Sequence, residues 1–80
     1  MIRVRLFAAL RESAGSSWVE VEATDVGGVI DGLAARFGPE FERIANAGTA
    51  VVDGETVGRD RALAPGEEVA LLPPVSGGSG

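Results

Sequence analysis

The chain contains no cysteine, no histidine and no tyrosine. Without cysteine there is neither a disulfide nor a thiolate metal site, and the redox compartment is left open. Zinc sites draw on cysteine and histidine, so no metal centre is expected. Acid–base work near neutral pH usually recruits histidine, and a serine nucleophile needs an adjacent base. The lone carboxylates Asp53, Asp60 and Glu67 sit in turn-like contexts that suit them structurally, which disfavours independent catalysis. No stretch approaches the ~20 apolar residues that cross a bilayer. Met1-Ile2-Arg3-Val4-Arg5 puts charges inside what would be the apolar run of a signal peptide. A cytoplasmic protein without a membrane partner is expected.

What is present is a short, well-balanced chain. Its 80 residues are 45% hydrophobic, with a mean hydropathy of +0.19. That is one domain near the lower size limit for folding without a staple, yet apolar enough to build a core. Seven basic against twelve acidic residues give a net charge of −5. Phosphate binding is dominated by Lys and Arg, so nucleic acid is not an expected partner. A protein partner with a basic surface fits the charge, and so does plain solubility.

Ile2 to Phe7 alternates apolar and polar with period two, the pattern of a half-buried strand with Ile2, Val4 and Leu6 inward. Ala8 to Ala14 suits a helical turn stopped by Gly15. Trp18 to Glu22 alternates again with Val19 and Val21 inward, so that Glu20 and Glu22 are expected to oppose Arg3 and Arg5 across an antiparallel pair. Thr24 or Asp25 is an N-cap for a helix whose apolar stripe is Val26, Val29, Ile30, Leu33, Ala34 and Phe37. Leu33 and Phe37 are expected to be buried against Val4 and Val19. Gly38-Pro39 ends this helix, and Phe41 to Ala47 adds a short helical turn. Gly27-Gly28 lacks the Gly-Lys-Ser/Thr of a phosphate loop and reads as a loose first turn of the helix. Thr49–Val52 and Thr56-Val57 read as strands around an Asp53-Gly54 turn, which is not read as a metal site. Pro65-Gly66 turns into a last strand, Glu68 to Leu72, which Pro73-Pro74 stops because proline lacks a ladder donor. The expected architecture is α+β, one main helix covering one face of a mixed sheet of four to five strands. Residues 1–74 form the domain and 75–80 a mobile Gly-rich tail.

Two stretches of this sequence resemble the small subunit of molybdopterin synthase and its relatives, the ubiquitin-like (β-grasp) sulfur carriers. One is Arg5-Leu6-Phe7-Ala8-Ala9-Leu10-Arg11-Glu12 followed by Gly15. The other runs from Leu63 to Gly78 and holds Glu68-Val69-Ala70-Leu71-Leu72-Pro73-Pro74-Val75-Ser76-Gly77-Gly78. The resemblance spans nearly the whole chain, and its element order agrees with the one read from periodicity.

The resemblance implies a specific chemistry. A ubiquitin-activating-like adenylyltransferase uses ATP to adenylate the last glycine of the Gly-Gly pair, here Gly78, which then becomes a thiocarboxylate, with Gly77 its unhindered neighbour. The tail enters the molybdopterin synthase large subunit, which takes the sulfur for the dithiolene of molybdopterin. No cofactor is bound by the chain itself. The family ends at Gly-Gly, whereas this chain continues with Ser79-Gly80, so either a protease exposes Gly78 or the extension is an appended linker. The family fold places the first and last strands side by side. That brings Phe7 and Leu72 together as an outward apolar patch, continued by Pro73, Pro74 and Val75, for partner docking. The alternatives are a carrier for thiamin or cysteine synthesis, a ubiquitin-like protein modifier, or a non-covalent interaction module whose tail is only a linker.

Overall fold

The computed structural model describes residues 1–74. Five strands, β1 (Ile2–Leu6), β2 (Trp18–Val21), β3 (Thr49–Val52), β4 (Glu55–Val57) and β5 (Glu68–Leu72), are joined by helices α1 (Ala8–Ala14), α2 (Val26–Phe37) and α3 (Pro39–Ala47). The sheet order is β2-β1-β5-β3-β4. β1 and β5 run parallel at its centre, and the other pairs are antiparallel. This is the ubiquitin-like β-grasp architecture.

Strand alternation decides which face is covered. Ile2, Val4 and Leu6 of β1, Ala50 and Val52 of β3, and Val69 and Leu71 of β5 are buried. They join Val26, Val29, Ile30 and Leu33 of α2, Leu10 of α1 and Phe41 of α3 in one core. The intervening residues Arg3, Arg5, Val51, Ala70 and Leu72 remain exposed or half-buried, so the helices cover one face and leave the other open. Among the described residues no helix is long and apolar enough to cross a membrane.

Local chemistry fixes the element ends. Asp25 caps α2, its Oδ1 accepting the Gly28 N–H at 2.7 Å. Gly15 closes α1 in the left-handed conformation, donating its N–H to the Arg11 carbonyl. Asp53 and Gly54 both have positive φ, 54° and 78°, as a two-residue hairpin turn between β3 and β4 requires. Gly66, at φ 89° behind Pro65, makes a type II turn in which the Glu67 N–H reaches the Ala64 carbonyl at 3.1 Å.

The structure corrects four readings. The segment after Gly38 is a nine-residue helix beginning at Pro39, because proline is pre-organised for the first helical position and Glu40 and Glu42 suit the positive end of the helix dipole. Phe37 is half-buried; its ring stacks on that of Phe41 at 5.4 Å and closes the edge of the core. Glu22 does not face Arg5: in an antiparallel pair two steps forward on β1 are two steps back on β2, so Arg3↔Glu20 forces Arg5↔Trp18. Glu22 lies instead 4.0 Å from the N-terminal ammonium. Gly27-Gly28 is a close backbone approach, not a loose turn. The Gly27 N–H bonds the Arg59 carbonyl at 2.8 Å, and a Cβ at Gly27 would meet Arg59 atoms at 3.3 Å.

Candidate functional site

The residues preceding the tail are held by the middle of the sheet. β5 is paired on both sides, by β1 through Arg3↔Glu68 to Leu6↔Leu71 and by β3 through Thr49↔Leu72 to Val51↔Ala70. A strand with two neighbours has its donors and acceptors taken on both edges, so the chain is fixed as far as Leu72. Pro73 is half-buried and Pro74 exposed, and neither can donate to a further ladder. Val75, Gly77 and Gly78 lie outside the described residues.

The parallel pair Leu6↔Leu71 brings the next residues, Phe7 and Leu72, to the same end of the sheet. Phe7 keeps an extended backbone (φ −120°, ψ 149°) as it enters α1, so alternation turns it away from buried Leu6. Phe7 and Leu72 are both half-buried and stand at the tail end of the open face. The Arg5 guanidinium lies 5.1 Å from the Phe7 ring.

Two features here were not anticipated from the sequence. Trp18 is one of two large hydrophobics exposed among the described residues, at 37%. The Arg3 guanidinium stacks over it at 4.3 Å and that of Arg5 at 5.3 Å. The signal was available, since a tryptophan at a polar-facing strand position is rarely idle at a surface. Gly48, between α3 and β3, lies against the last residues before the tail. A Cβ there would clash with the Leu72 carbonyl oxygen and come within 3.1 Å of the Pro73 carbonyl carbon. Only the fold reveals this requirement, because α3 and β5 are far apart in the chain.

Of the carboxylates weighed as lone acid–base groups, Glu67 and Asp53 pair with groups of the fold itself. Glu67 Oε1 accepts the Ala64 N–H at 2.8 Å, and Arg61 lies 3.3 Å away. The backbone hydrogen bond from Ala64, followed by the hydrogen bond from Arg61, holds the Glu67 carboxyl below the usual glutamate range. Asp53 lies 3.7 Å from the same Arg61. Arg59 bonds Asp31 at 3.0 Å and Asn46 at 3.1 Å, tying the β4–β5 connection to α2 and α3. Among the described residues no group of acidic side chains is arranged to hold a metal ion.

A centrally anchored last strand that delivers a short tail from a β-grasp body defines a class, the ubiquitin-like carriers and modifiers. The profile of the ThiS family matches residues 4–78, and the chain belongs to that family of sulfur-carrier proteins. Among solved structures, SAMP1 of Haloferax volcanii is 33% identical, covering 95% of this chain and 97% of its own, with a TM-score of 0.75. CysO of Mycobacterium tuberculosis is 26% identical over 94% of this chain and 100% of its own, TM-score 0.79. A Pyrococcus furiosus protein described as molybdopterin converting factor, subunit 1, is 26% identical over 92% and 97%, TM-score 0.78. No curated protein matches the chain significantly.

Proposed function

We propose that this chain is a sulfur carrier whose Gly78 carboxylate, once exposed, is activated by a ubiquitin-activating-like adenylyltransferase and serves the molybdopterin synthase large subunit. The observation that carries the reading is where the family match ends: at residue 78, the second glycine of Gly77-Gly78, leaving Ser79-Gly80 outside. The chemistry then follows. The free carboxylate attacks the α-phosphate of ATP and expels pyrophosphate. Hydrosulfide supplied by a partner attacks the acyl carbon and displaces AMP, giving the thiocarboxylate with loss of one proton. In the 80-residue chain Gly78 is locked in a peptide bond, so the reaction needs a chain that ends at Gly78, whether a protease exposes it or Ser79-Gly80 is an appended linker.

The body suits this role as a co-substrate and not as an enzyme. All seven basic residues are arginine, and cysteine is absent, so no side-chain amine or thiol of the chain competes for its activated glycine. The cytoplasm is the compartment that goes with this proposal, because the activating enzyme consumes ATP.

Pyrophosphate exchange tests the first step. A chain ending at Gly78 is expected to support exchange with the adenylyltransferase and ATP, whereas the full chain and Gly78→Val are not. A β-branched side chain stiffens and thickens the tail where it must pass into the enzyme. An inert truncated chain that binds its partner equally well without residues 75–78 would reduce the protein to an interaction module. The 33% identity with SAMP1, against 26% with the Pyrococcus protein, favours protein modification as the second reading. Covalent adducts of the tagged chain on other proteins in its own cells, absent from Gly78→Val, would select it.

A further inference from the structure

The open sheet face is divided by charge. One row across it, read from the strand register, is Trp18–Arg5–Ala70–Val51–Thr56. Phe7 and Leu72 follow on the tail side, and among the described strand residues this end of the face holds no carboxylate. One row further from the tail, Arg3 is flanked by Glu20 and Glu68. Arg5 shares the Trp18 ring with Arg3, whose guanidinium is 4.3 Å from it, but it is the one cation of the apolar row itself, on a chain of net charge −5. None of the ion pairs among the described residues involves it. Its guanidinium lies near two rings, 5.1 Å from Phe7 and 5.3 Å from Trp18, which limits its rotamers and leaves its fork of donors free.

The β2 edge, by contrast, is closed to strand addition. The Trp18 carbonyl accepts from Ser16 Oγ at 2.8 Å and the Glu20 carbonyl from Arg36 Nη1 at 2.7 Å, the kind of blunting that keeps an edge strand from pairing with another chain. A partner reaching this region is directed onto the face. An apolar surface closing over that face would bury an unpaired guanidinium, which is strongly unfavourable unless the partner supplies an opposite charge. Tryptophan and arginine are also the residue types that most often dominate interface energetics.

We propose that Arg5, positioned by Trp18 and Phe7, anchors a carboxylate set within an otherwise apolar docking surface on the adenylyltransferase that activates the tail. The inference rests on the carrier reading above and specifies the partner's chemistry. The bond is a charge-assisted, two-pronged one, which among protein side chains an aspartate or glutamate carboxylate satisfies. The acidic row beyond it favours a partner that is basic further from the tail, which orients the body so that Pro73 and Pro74 point toward the active site.

The test uses the chain ending at Gly78 with the adenylyltransferase and the synthase large subunit of the same organism. Calorimetry gives the affinity. Fluorotryptophan at Trp18, the chain's single tryptophan, reports contact at the face by fluorine NMR without signal from the enzyme. Arg5→Gln is expected to weaken binding to the adenylyltransferase roughly thirtyfold or more, the size of effect seen when one partner of a buried charge pair is removed. Arg5→Lys should recover part of the loss, since it keeps the charge without the fork. Arg43→Gln, on α3 and paired only with Glu40, should bind as the parent does. The Trp18 resonance should move on binding. Unchanged affinity in Arg5→Gln, or a Trp18 resonance that ignores a bound enzyme, overturns this inference and leaves the carrier reading standing. A parent chain that neither binds nor reacts with either enzyme overturns both.

Discussion

Gly48 gives the sharpest check on how the body holds the residues before the tail. The position sits at the C-terminal end of α3 with φ −95° and ψ −150°, a conformation open to any residue, so glycine is not required there for its backbone freedom. It is required for space. A Cβ would overlap the Leu72 carbonyl oxygen and approach the Leu72 and Pro73 carbonyl carbons at 3.0 and 3.1 Å. These atoms are backbone, and Thr49↔Leu72 is a ladder pair, so no side-chain rotation relieves the clash and the β3–β5 pairing must yield. Overpacking costs about 1–3 kcal/mol, and with backbone on both sides the upper end applies, ~3 kcal/mol. For a domain of this size that lowers the melting temperature by roughly 12–24 °C. Gly58→Ala is the control, because a Cβ there meets only Asp60 Oδ1 at an ordinary 3.4 Å; it should be neutral or slightly stabilising. Thermal melts followed by circular dichroism measure both. If Gly48→Ala melts within a few degrees of Gly58→Ala, the described path of the chain past Leu72 is wrong.

Leu33 is fully buried in α2, so Leu33→Ala should lose about 2–5 kcal/mol in chemical denaturation; an unchanged midpoint would mean that the stripe faces solvent. Glu67 gives a pH signature. Its carboxyl is held below its ordinary value by the Ala64 N–H and then by Arg61, so its stabilising contribution is fully present above the unfolded pKa of about 4.3 and is lost as pH falls through the lower folded value. Glu67→Gln should therefore flatten the acid-side slope of stability against pH, and an identical slope would show that other carboxylates carry it.

The two period-two strands β1 and β2, the stripe of α2 and its Asp25 cap were legible because each pattern is local. The same is true of the turns at Gly15, Asp53-Gly54 and Pro65-Gly66. Helix α3 was cut short because a Gly-Pro pair marks both an end and a beginning, and Pro39 does the second as well as the first. The facing of Glu22 failed for a different reason: alternation assigns a face, but only strand direction assigns an opposite number. Non-local demands stayed invisible. Gly27 must accommodate Arg59 and Gly48 must accommodate Leu72, and neither partner lies within ten residues of its glycine. At the candidate site, Phe7 and Leu72 were readable from alternation once the end strands were taken as neighbours. Trp18 and the cation stacked on it were not, since their meeting depends on the β1–β2 register.

The position of β5 also constrains how body and tail divide the work. A tail leaving an edge strand could peel back, whereas β5 lies between β1 and β3 and holds the chain as far as Leu72 against most of the core. Gly78 lies six residues beyond Leu72, and an extended chain advances at most about 3.3–3.6 Å per residue. The Gly78 carboxyl carbon, the reactive atom in the proposed function, therefore lies within roughly 22 Å of Leu72 whatever path the tail takes. Once the open face has docked, entry of the tail is intramolecular and proceeds at a high effective concentration. A substitution on the face should then act on the concentration of carrier needed for half-maximal rate, and a substitution in the glycines on the rate at saturation. Arg5→Gln should raise KM in pyrophosphate exchange and leave kcat near its parent value, while Gly78→Val should lower kcat. A fall in kcat for Arg5→Gln at saturating carrier would mean that the face also sets the tail's aim, and the clean division between handle and reagent would not hold.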